Sequence, residues 1–506
     1  MQSKSEEQVR DSGSVILTAR HRANSAVALL ISVLALATVG CPSNTPPPTV
    51  TVVPKPFAGM TLKIGGMDTE LTKALYNRAQ GWATRNDAKI ILVTEEAADV
   101  TFVTPAVVGI AAALDLSLSV PEELKTLEHP GQWIRILPVD RDRLSGWVGE
   151  PRAFPVSGEG AVLVLRTDLL SDPAVTAKHV AKFGKTLPAL PGTWDDIAEI
   201  AETFAELNKA ALPRETVLSD FLRVAACNDR VALAESDLLK TDSLQKSKAG
   251  MLSFLHDAAS GEPRLTTPGF VAAAAWTKRV QPGRTQATVE TVTALSEGKI
   301  VMAVLTLAEL ARLPKEAGQV AKQFAVAPLP GSRSAFDSAT QTTVDFSTRT
   351  GGNYVPYFSA GTFGLVRKQC VNAAAAWDLL ADLGGPARSL ELLSETRLGC
   401  GPFRAEHLEQ SREMIWQRYG FDAERTTALA DALRRSIAVA IANPALTVRS
   451  TDASELMKLL EKSVTAAASG TLSPAAAMEQ ANDAWKQHDA RIPQAKEWRR
   501  RSAGLN

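Results

Sequence analysis

The tripeptide Gly158-Glu159-Gly160 stands in "FPVSGEGAVLVLRTDLL" (Phe154–Leu170), directly before an apolar run. Residues of these types suit three kinds of chemistry: a glycine loop that cradles phosphate, a carboxylate that moves protons from a turn, or a bend that lets the backbone rotate. A phosphate loop requires further glycines and a lysine at fixed spacing. The nearest match, Phe183-Gly184-Lys185-Thr186, has His179 where the first glycine must stand. No Gly-x-Ser-x-Gly elbow occurs, and Ser243 with Lys246 meets Ser-x-x-Lys without its partner motifs. The six histidines are dispersed, with no His-Glu-x-x-His or His-x-His, and no acidic run has the spacing of a calcium loop. Carboxylate pairs are assembled in space, so spacing alone leaves a catalytic role for Glu159 open.

Those residues must be held by a large body. The chain has 506 residues, more than one compact core usually takes, so two or three globular units are expected. It carries 55 Lys+Arg against 55 Asp+Glu, which provides no field to draw nucleic acid or an anionic membrane. Arg10, Arg20 and Arg22 precede the uncharged run "ANSAVALLISVLALATVGC", which is short for a membrane span and ends at Cys41. The run resembles a bacterial lipoprotein signal, although Thr38 replaces the preferred Leu and the polar leader is long. It implies cleavage after residue 40 and lipid on the Cys41 thiol. An uncleaved anchor or a plain secretory signal is the alternative, and each exports the chain. The following "PSNTPPPTVTVVPKP" reads as an extended tether over residues 41–57. Of the remaining cysteines, Cys370 and Cys400 are the best candidates for a disulfide in an oxidising compartment, with Cys227 left as a buried thiol.

From Met60 onward, strands and helices alternate, which predicts an α/β protein with parallel sheet. "TLKIGG" reads as a strand, and Leu71, Ala74, Leu75, Ala79 and Trp82 recur at helical spacing. "KIILVT" and "ADVTFVTP" give two more strands. Ligands of such sheets sit beyond the carboxyl ends of the strands, here at Gly65–Asp68 and Thr104–Pro105. In "PGTWDDIAEIAETFAEL", Thr193 and Asp196 have capping-box spacing. "TVTALSEGKIVMAVLTLAEL" reads as helix, turn, strand and helix. "FAVAPLPGS" and "TFGLVRK" read as strands, "NAAAAWDLLADLGG" as a helix, and the stretch from Ser334 to Gly361 as polar loop. Ser473 and Pro474 open a last helix.

In that order, "PVSGEGAVLVLRTDLL", "PGTWDDIAEIAETF", "ALSEGKIVMAV", "FAVAPLPG", "SAGTFGLVRKQCVNAAAAWDLLADL" and "SGTLSPAAAMEQANDAW" resemble the extracellular solute-binding proteins of ABC importers, family 1, the maltose-binding type. The resemblance covers about residues 58–490. Leu165 and Thr306-Leu307 depart from it where sugar binders carry Tyr and Trp. It implies a periplasmic binding protein-like type II fold: two α/β lobes, a ligand cleft between them and a hinge of three segments. The expected crossings lie near Val156–Gly160, Glu297–Val301 and Tyr357–Gly361. Lobe one is expected at 58–156 plus 301–358, and lobe two at 159–299 plus 362–506.

The resemblance also implies the role. The chain would bind a small polar solute, a sugar or oligosaccharide first, without a cofactor and without making or breaking a bond. It would pass that solute to permease subunits of an ABC transporter as a monomer held to the membrane by lipid, with no nucleic-acid partner. Candidate ligand contacts are Asp68, Trp133, Trp147, Glu159, Tyr354, Tyr357, Arg404, Trp416 and Arg449, while Phe358 and Tyr419 flank them. The bland roles are an N-cap for Asp68, a solvated turn for Glu159, core packing for the aromatics and surface exposure for the arginines. Alternative solutes are a peptide, a polyamine or an anion. Other classes are a ligand-sensing lipoprotein and an exported enzyme, a glycosidase foremost.

Overall fold

The computed structural model describes residues 55–67, 69–214, 216–233, 254–285, 290–437 and 441–502. The signal-like segment, Cys41, the tether up to residue 54 and Asp68 lie outside these residues. Among the described residues, no helix is long and apolar enough to cross a membrane.

The chain opens with strand β1 (Thr61–Gly66), helix α1 (Glu70–Asn86), strands β2 (Lys89–Leu92) and β3 (Val100–Val103), and helix α2 (Pro105–Ala113). The strands β1, β2 and β3 pair in parallel, with Ile64 opposite both Leu92 and Val100. Ala74, Leu75, Ala79 and Trp82 form the buried stripe of α1, as their spacing predicts. β4 (Phe154–Ser157) lies at the far edge of this sheet. β5 (Ala161–Arg166) begins only four residues later in another sheet.

All six residues of β5 are buried. It lies between β6 (Met302–Thr306) and β7 (Phe324–Ala327), both antiparallel to it. A strand covered on both faces must be apolar throughout, which "AVLVL" satisfies. Helices α3 (Trp194–Glu206), α4 (Val217–Asn228) and α5 (Pro268–Val280) build the core around this second sheet. The capping box of α3 forms as expected: Asp196 N–H donates to Thr193 Oγ1 at 3.2 Å, and Thr193 N–H donates to Asp196 Oδ2 at 2.9 Å.

Two expectations are corrected here. Residues 302–327 join the second sheet, and β11 (Thr362–Val366) joins the first, between β3 and β4. The expected lobe boundaries at 301–358 and 362–506 are therefore exchanged for these strands. The turn at Glu297–Val301 lies within the second-sheet body and is no crossing, since Val301 O accepts from Arg166 N–H and Val301 N–H donates to Ala211 O. The reason is strand demand: β5, buried on both faces, needs partners on both edges. The polar stretch read as loop also holds an antiparallel hairpin, β8 (Ser334–Asp337) with β9 (Thr342–Asp345). Half of its strand residues are exposed and the two buried ones, Ala335 and Phe336, are adjacent, so no alternating apolar face betrays it.

β10 (Tyr357–Phe358) precedes β11. After β11, helix α6 (Ala373–Leu383) returns to the first sheet, where Trp82 Nε1–H donates to Asp378 Oδ2 at 2.7 Å and fastens α6 to α1. Helix α7 (Ala423–Ile437) then covers β7 and β5. β12 (Ala445–Leu446) pairs in parallel with β10. Helices α8 (Ala453–Ala468), α9 (Pro474–Arg491) and α10 (Ala495–Ser502) close the second body. Ser473 caps α9 and Pro474 opens it. Arg499, fully buried on α10, donates to Asp489 and Asp452, each at 2.9 Å.

The second body also holds a buried ion pair. Arg284 Nη2 donates to Asp220 Oδ2 at 2.7 Å, with the two side chains 0% and 4% exposed. Removing one partner leaves the other charge desolvated. Asp220→Ala is expected to cost about 3–5 kcal/mol in a denaturant-unfolding measurement, whereas removing both partners is milder.

Candidate functional site

The two sheets meet where the chain passes between them. The first passage is Ser157–Gly160, from β4 to β5. The second is Tyr357–Gly361, entering β11. The third follows α6 through Cys400–Arg404 on the way to α7. The first and third are zipped by backbone: Gly158 N–H donates to Gly401 O at 3.0 Å, and Gly401 N–H to Gly158 O at 3.1 Å. A Cβ on Gly158 would stand 2.3 Å from Pro402 O, and one on Gly401 would stand 2.4 Å from Glu159 C. Glycine is therefore required by close approach at both positions.

Glu159 joins the first passage to the second. Its Oε2 accepts from Ser359 N–H at 2.7 Å and Ala360 N–H at 2.8 Å. A carboxylate receiving two amides is a charge-assisted clasp. Glu159→Ala removes it and takes that acceptor from both amides. A loss of about 1–2 kcal/mol in thermal or chemical unfolding is expected, with Glu159→Gln intermediate.

Several ionisable groups gather around these passages. Asp140, on the short helical turn Val139–Leu144 ahead of β4, is 3% exposed. Burial, then the Glu159 carboxylate, holds its carboxyl well above the usual range. Arg449 is buried beyond β12 and donates Nη1–H to Leu144 O at 2.8 Å. Burial and the field of Arg143 bring it down to about 10. Arg230, beyond α4, is brought down to about 9 by burial, then by Arg264, with Arg143 adding to the effect. Both stay cationic at neutral pH. Tyr357 is pushed up to about 12 by burial, so its phenol keeps its proton. Arg143 and Arg230 were not among the sequence candidates, because nothing in their local sequence sets them apart from surface arginines.

Asp140 makes a pH prediction. Its folded pKa lies above the unfolded one, so the stability tied to it is fully present below the ordinary carboxylate range. That stability is lost as pH rises toward the folded value. Asp140→Asn has no such loss. Relative to the wild type, the variant's melting temperature should rise with pH between about pH 4 and neutrality. A difference that is constant with pH refutes the assignment.

The sequence candidates divide by location. Glu159, Tyr354, Tyr357 and Arg449 come together at the passages. Tyr354 Oη–H donates to Ser436 O at 2.5 Å, and the Tyr357 ring lies 5.7 Å from that of Phe254. Phe358 is buried in a small cluster with Phe363 and Leu446. Trp133 is buried edge-on against Phe154 at 5.3 Å, and Trp147 is 2% exposed. Trp416 and Tyr419 are buried 6.1 Å apart in the first core. Arg404, fully buried, donates to Gly131 O, Gly384 O, Gln132 O and Glu406 Oε1, and so ties loops together. The bland roles therefore describe the surroundings of Trp133, Trp147, Arg404 and Trp416 in this structure.

Cys370, Cys400 and Cys227 are free thiols, which corrects the expected pairing. Cys370 lies by Asp99 and Asn372 beyond β11, while Cys400 lies by Ser157, Arg78 and Glu395 at the passages. The two are close in sequence yet face different neighbours, and burial pushes each thiol up to about 11. A Ser–His contact also exists, Ser389 Oγ to His407 Nε2 at 2.9 Å. His407 Nδ1 accepts Phe403 N–H, so the ring proton sits on Nε2 and points at the serine. In that tautomer the ring cannot take the serine proton, and both groups are 0% exposed. Among the described residues no cluster of three His, Cys, Asp or Glu could hold a metal ion.

No family model and no curated protein matches the chain. Solved structures do. The fold is that of type II periplasmic binding proteins, and the chain is similar in structure to several solved solute-binding proteins. The sugar-binding protein MalE from Xanthomonas citri superposes at TM-score 0.58 and 13% identity, over 87% of this chain and 98% of its own. The GacH receptor of Streptomyces glaucescens, solved unliganded and with acarbose, gives 0.55 at 16% identity over 85% and 98%. Lmo0181 from Listeria monocytogenes, in complex with cycloalternan, gives 0.56 at 12% identity over 85% and 99%.

Proposed function

We propose that this chain is an extracytoplasmic solute-binding protein that delivers a sugar or oligosaccharide to an ABC importer. The observation that carries the reading is the knot of three passages between two sheet-centred bodies. Movement concentrates where backbone is bound to backbone at Gly158 and Gly401, and the polar groups of both bodies converge beside it. Arg143, Arg230, Arg449 and Tyr357 supply hydrogen-bond donors suited to hydroxyls. A ligand bridging both bodies favours the closed form because it touches each. Delivery requires no bond chemistry, and the contacts of His407 and the burial of Asp140 leave neither poised for it. GacH binds acarbose and Lmo0181 binds cycloalternan, which supports a saccharide over a peptide, polyamine or anion. In this reading Cys41 carries lipid, residues 41–57 tether a monomer to the membrane, and permease subunits receive the closed form.

Calorimetry and thermal-shift measurements with malto-oligosaccharides, pentitols, amino acids, polyamines and phosphate test the reading. A saccharide at 100 times its Kd should add about 2.7 kcal/mol of stability. Arg449→Ala and Tyr357→Ala should weaken that saccharide by about tenfold or more. Stabilisation by a non-saccharide alone overturns the sugar assignment.

A further inference from the structure

A cavity of about 480 Å³ opens on the first body, beside the place where the described chain begins. Lys55 pairs with Asp87 at 3.0 Å, just past the end of α1, and the Phe57 ring lies 5.7 Å from that of Trp82. Trp82 in turn donates to Asp378 on the cavity wall. That wall carries both signs of charge. Arg85, in the last turn of α1, donates Nη2–H to Asp382 Oδ1 at 2.7 Å. Arg388 donates from Nη1 to both Glu391 oxygens at 2.8 Å. Neither pair uses the second terminal nitrogen of its guanidinium. Asp378 and Asp382 stand four residues apart on one face of α6. Gly131 N–H donates to His129 Nδ1 at 3.1 Å, which leaves the proton of the neutral ring on Nε2. Leu127, two residues earlier, is 71% exposed.

We infer that this cavity seats the headgroup of an ethanolamine phospholipid, with Leu127 entering the membrane interface beside it. The inference rests on the lipid-anchored reading proposed above. Position is the first argument. In that reading, 13 residues separate Cys41 from Lys55. A chain of that length spans at most about 45 Å, so the bilayer lies within that distance of Lys55 and of the cavity next to it. A second, weak membrane contact beside a lipid anchor orients the body that the anchor holds. Charge is the second argument. The phosphate of the headgroup meets the second nitrogens of Arg85 and Arg388 and the Nε2–H of His129. Its ammonium donates N–H bonds to Asp378 and Glu391. A choline headgroup has no N–H to donate and takes aromatic faces instead. Among the described residues, the cavity wall holds no Phe, Tyr or Trp. A headgroup with phosphate alone would set its charge against three carboxylates and two arginines. The volume falls within the range of small-molecule pockets, about 300–1,000 Å³.

Vesicle flotation tests the site. The processed chain from residue 41 is used with Cys41→Ser, so that no acyl chain contributes. Three vesicles are compared: phosphatidylcholine alone, and phosphatidylcholine mixed equally with phosphatidylethanolamine or with phosphatidylglycerol. About fivefold more protein is expected on the ethanolamine vesicles than on either of the others. Soluble O-phosphoethanolamine should displace it. Arg388→Ala and the exposed Leu127→Ser, each checked for an unchanged folded spectrum, should each remove most of the preference. Equal binding to all three vesicles, or to none, overturns the headgroup site. So does a preference that survives both substitutions. A thermal shift with O-phosphoethanolamine and no vesicle binding assigns the cavity to a free zwitterion and overturns the lipid source. The anchor is tested separately, by the mass of the N-terminal peptide of the protein purified from its own cells. A Cys41 without diacylglycerol overturns the anchored reading and the inference with it. An anchored protein with no ethanolamine preference overturns the headgroup site alone.

Discussion

Two reciprocal hydrogen bonds between Gly158 and Gly401 set the terms for the rest of the molecule. They hold two passages of chain closer than any side chain permits, since even one added carbon would collide with carbonyl or backbone atoms. The Glu159 carboxylate extends the pairing to the second passage by gripping two amides there. A joint of this kind resists separation and shear, because its bonds are backbone and its charge is satisfied locally. The buried Asp140 feels the Glu159 carboxylate of this joint, and the pair β10–β12 leads into the second passage.

The opposition between apolar burial and charge recurs at a larger scale. The second body tolerates a fully buried Arg284 only because Asp220 meets it, and a fully buried Arg499 only because two aspartates do. Such pairs contribute little net stability against an apolar alternative, but they penalise any misplacement of the elements that carry them. They fix α4 against the segment beyond α5, and the last helix against α8 and α9. The free thiols follow the same logic: buried among unlike neighbours, each behaves as a small apolar group.

Local signals in the sequence were reliable where a single element was at stake. Thr193 with Asp196, Ser473 with Pro474, and the α1 stripe each state their structure within a few residues, because capping and helical periodicity act over one or two turns. The glycines of the first passage were read as backbone freedom, whereas the structure requires them for close approach, of Gly158 to Pro402 and of Gly160 to Leu307. The assignment of strands to sheets was not. Whether Met302–Thr306 lies beside β5 or β3 depends on partners more than a hundred residues away, and its composition suits either place. The hairpin at Ser334–Asp345 was hidden because neither face is consistently buried. At the site, Glu159 and Tyr357 were named for their place at expected crossings and Arg449 for its donor chemistry, and all three lie at the passages. Arg143, half-buried, and Arg230, buried, went unremarked because their surroundings arise only when distant segments converge. Aromatic type left two roles open for Trp133, Trp147 and Trp416, and all three are buried in this structure, as the packing alternative for each expected.

The insertion of β11 between β3 and β4 also determines the order in which this molecule can come into being. The first sheet lacks its linking strand until residue 366 has been made, by which time β5, β6 and β7 are already present. Neither body is a continuous stretch of chain, so neither can finish on the ribosome while the other waits. Closing loops of some two hundred residues makes the search slow, and the unfinished sheet offers open edges meanwhile. A chain built this way keeps a long unfolded window after synthesis, and in that interval it can be threaded, escorted or joined wrongly to a neighbour.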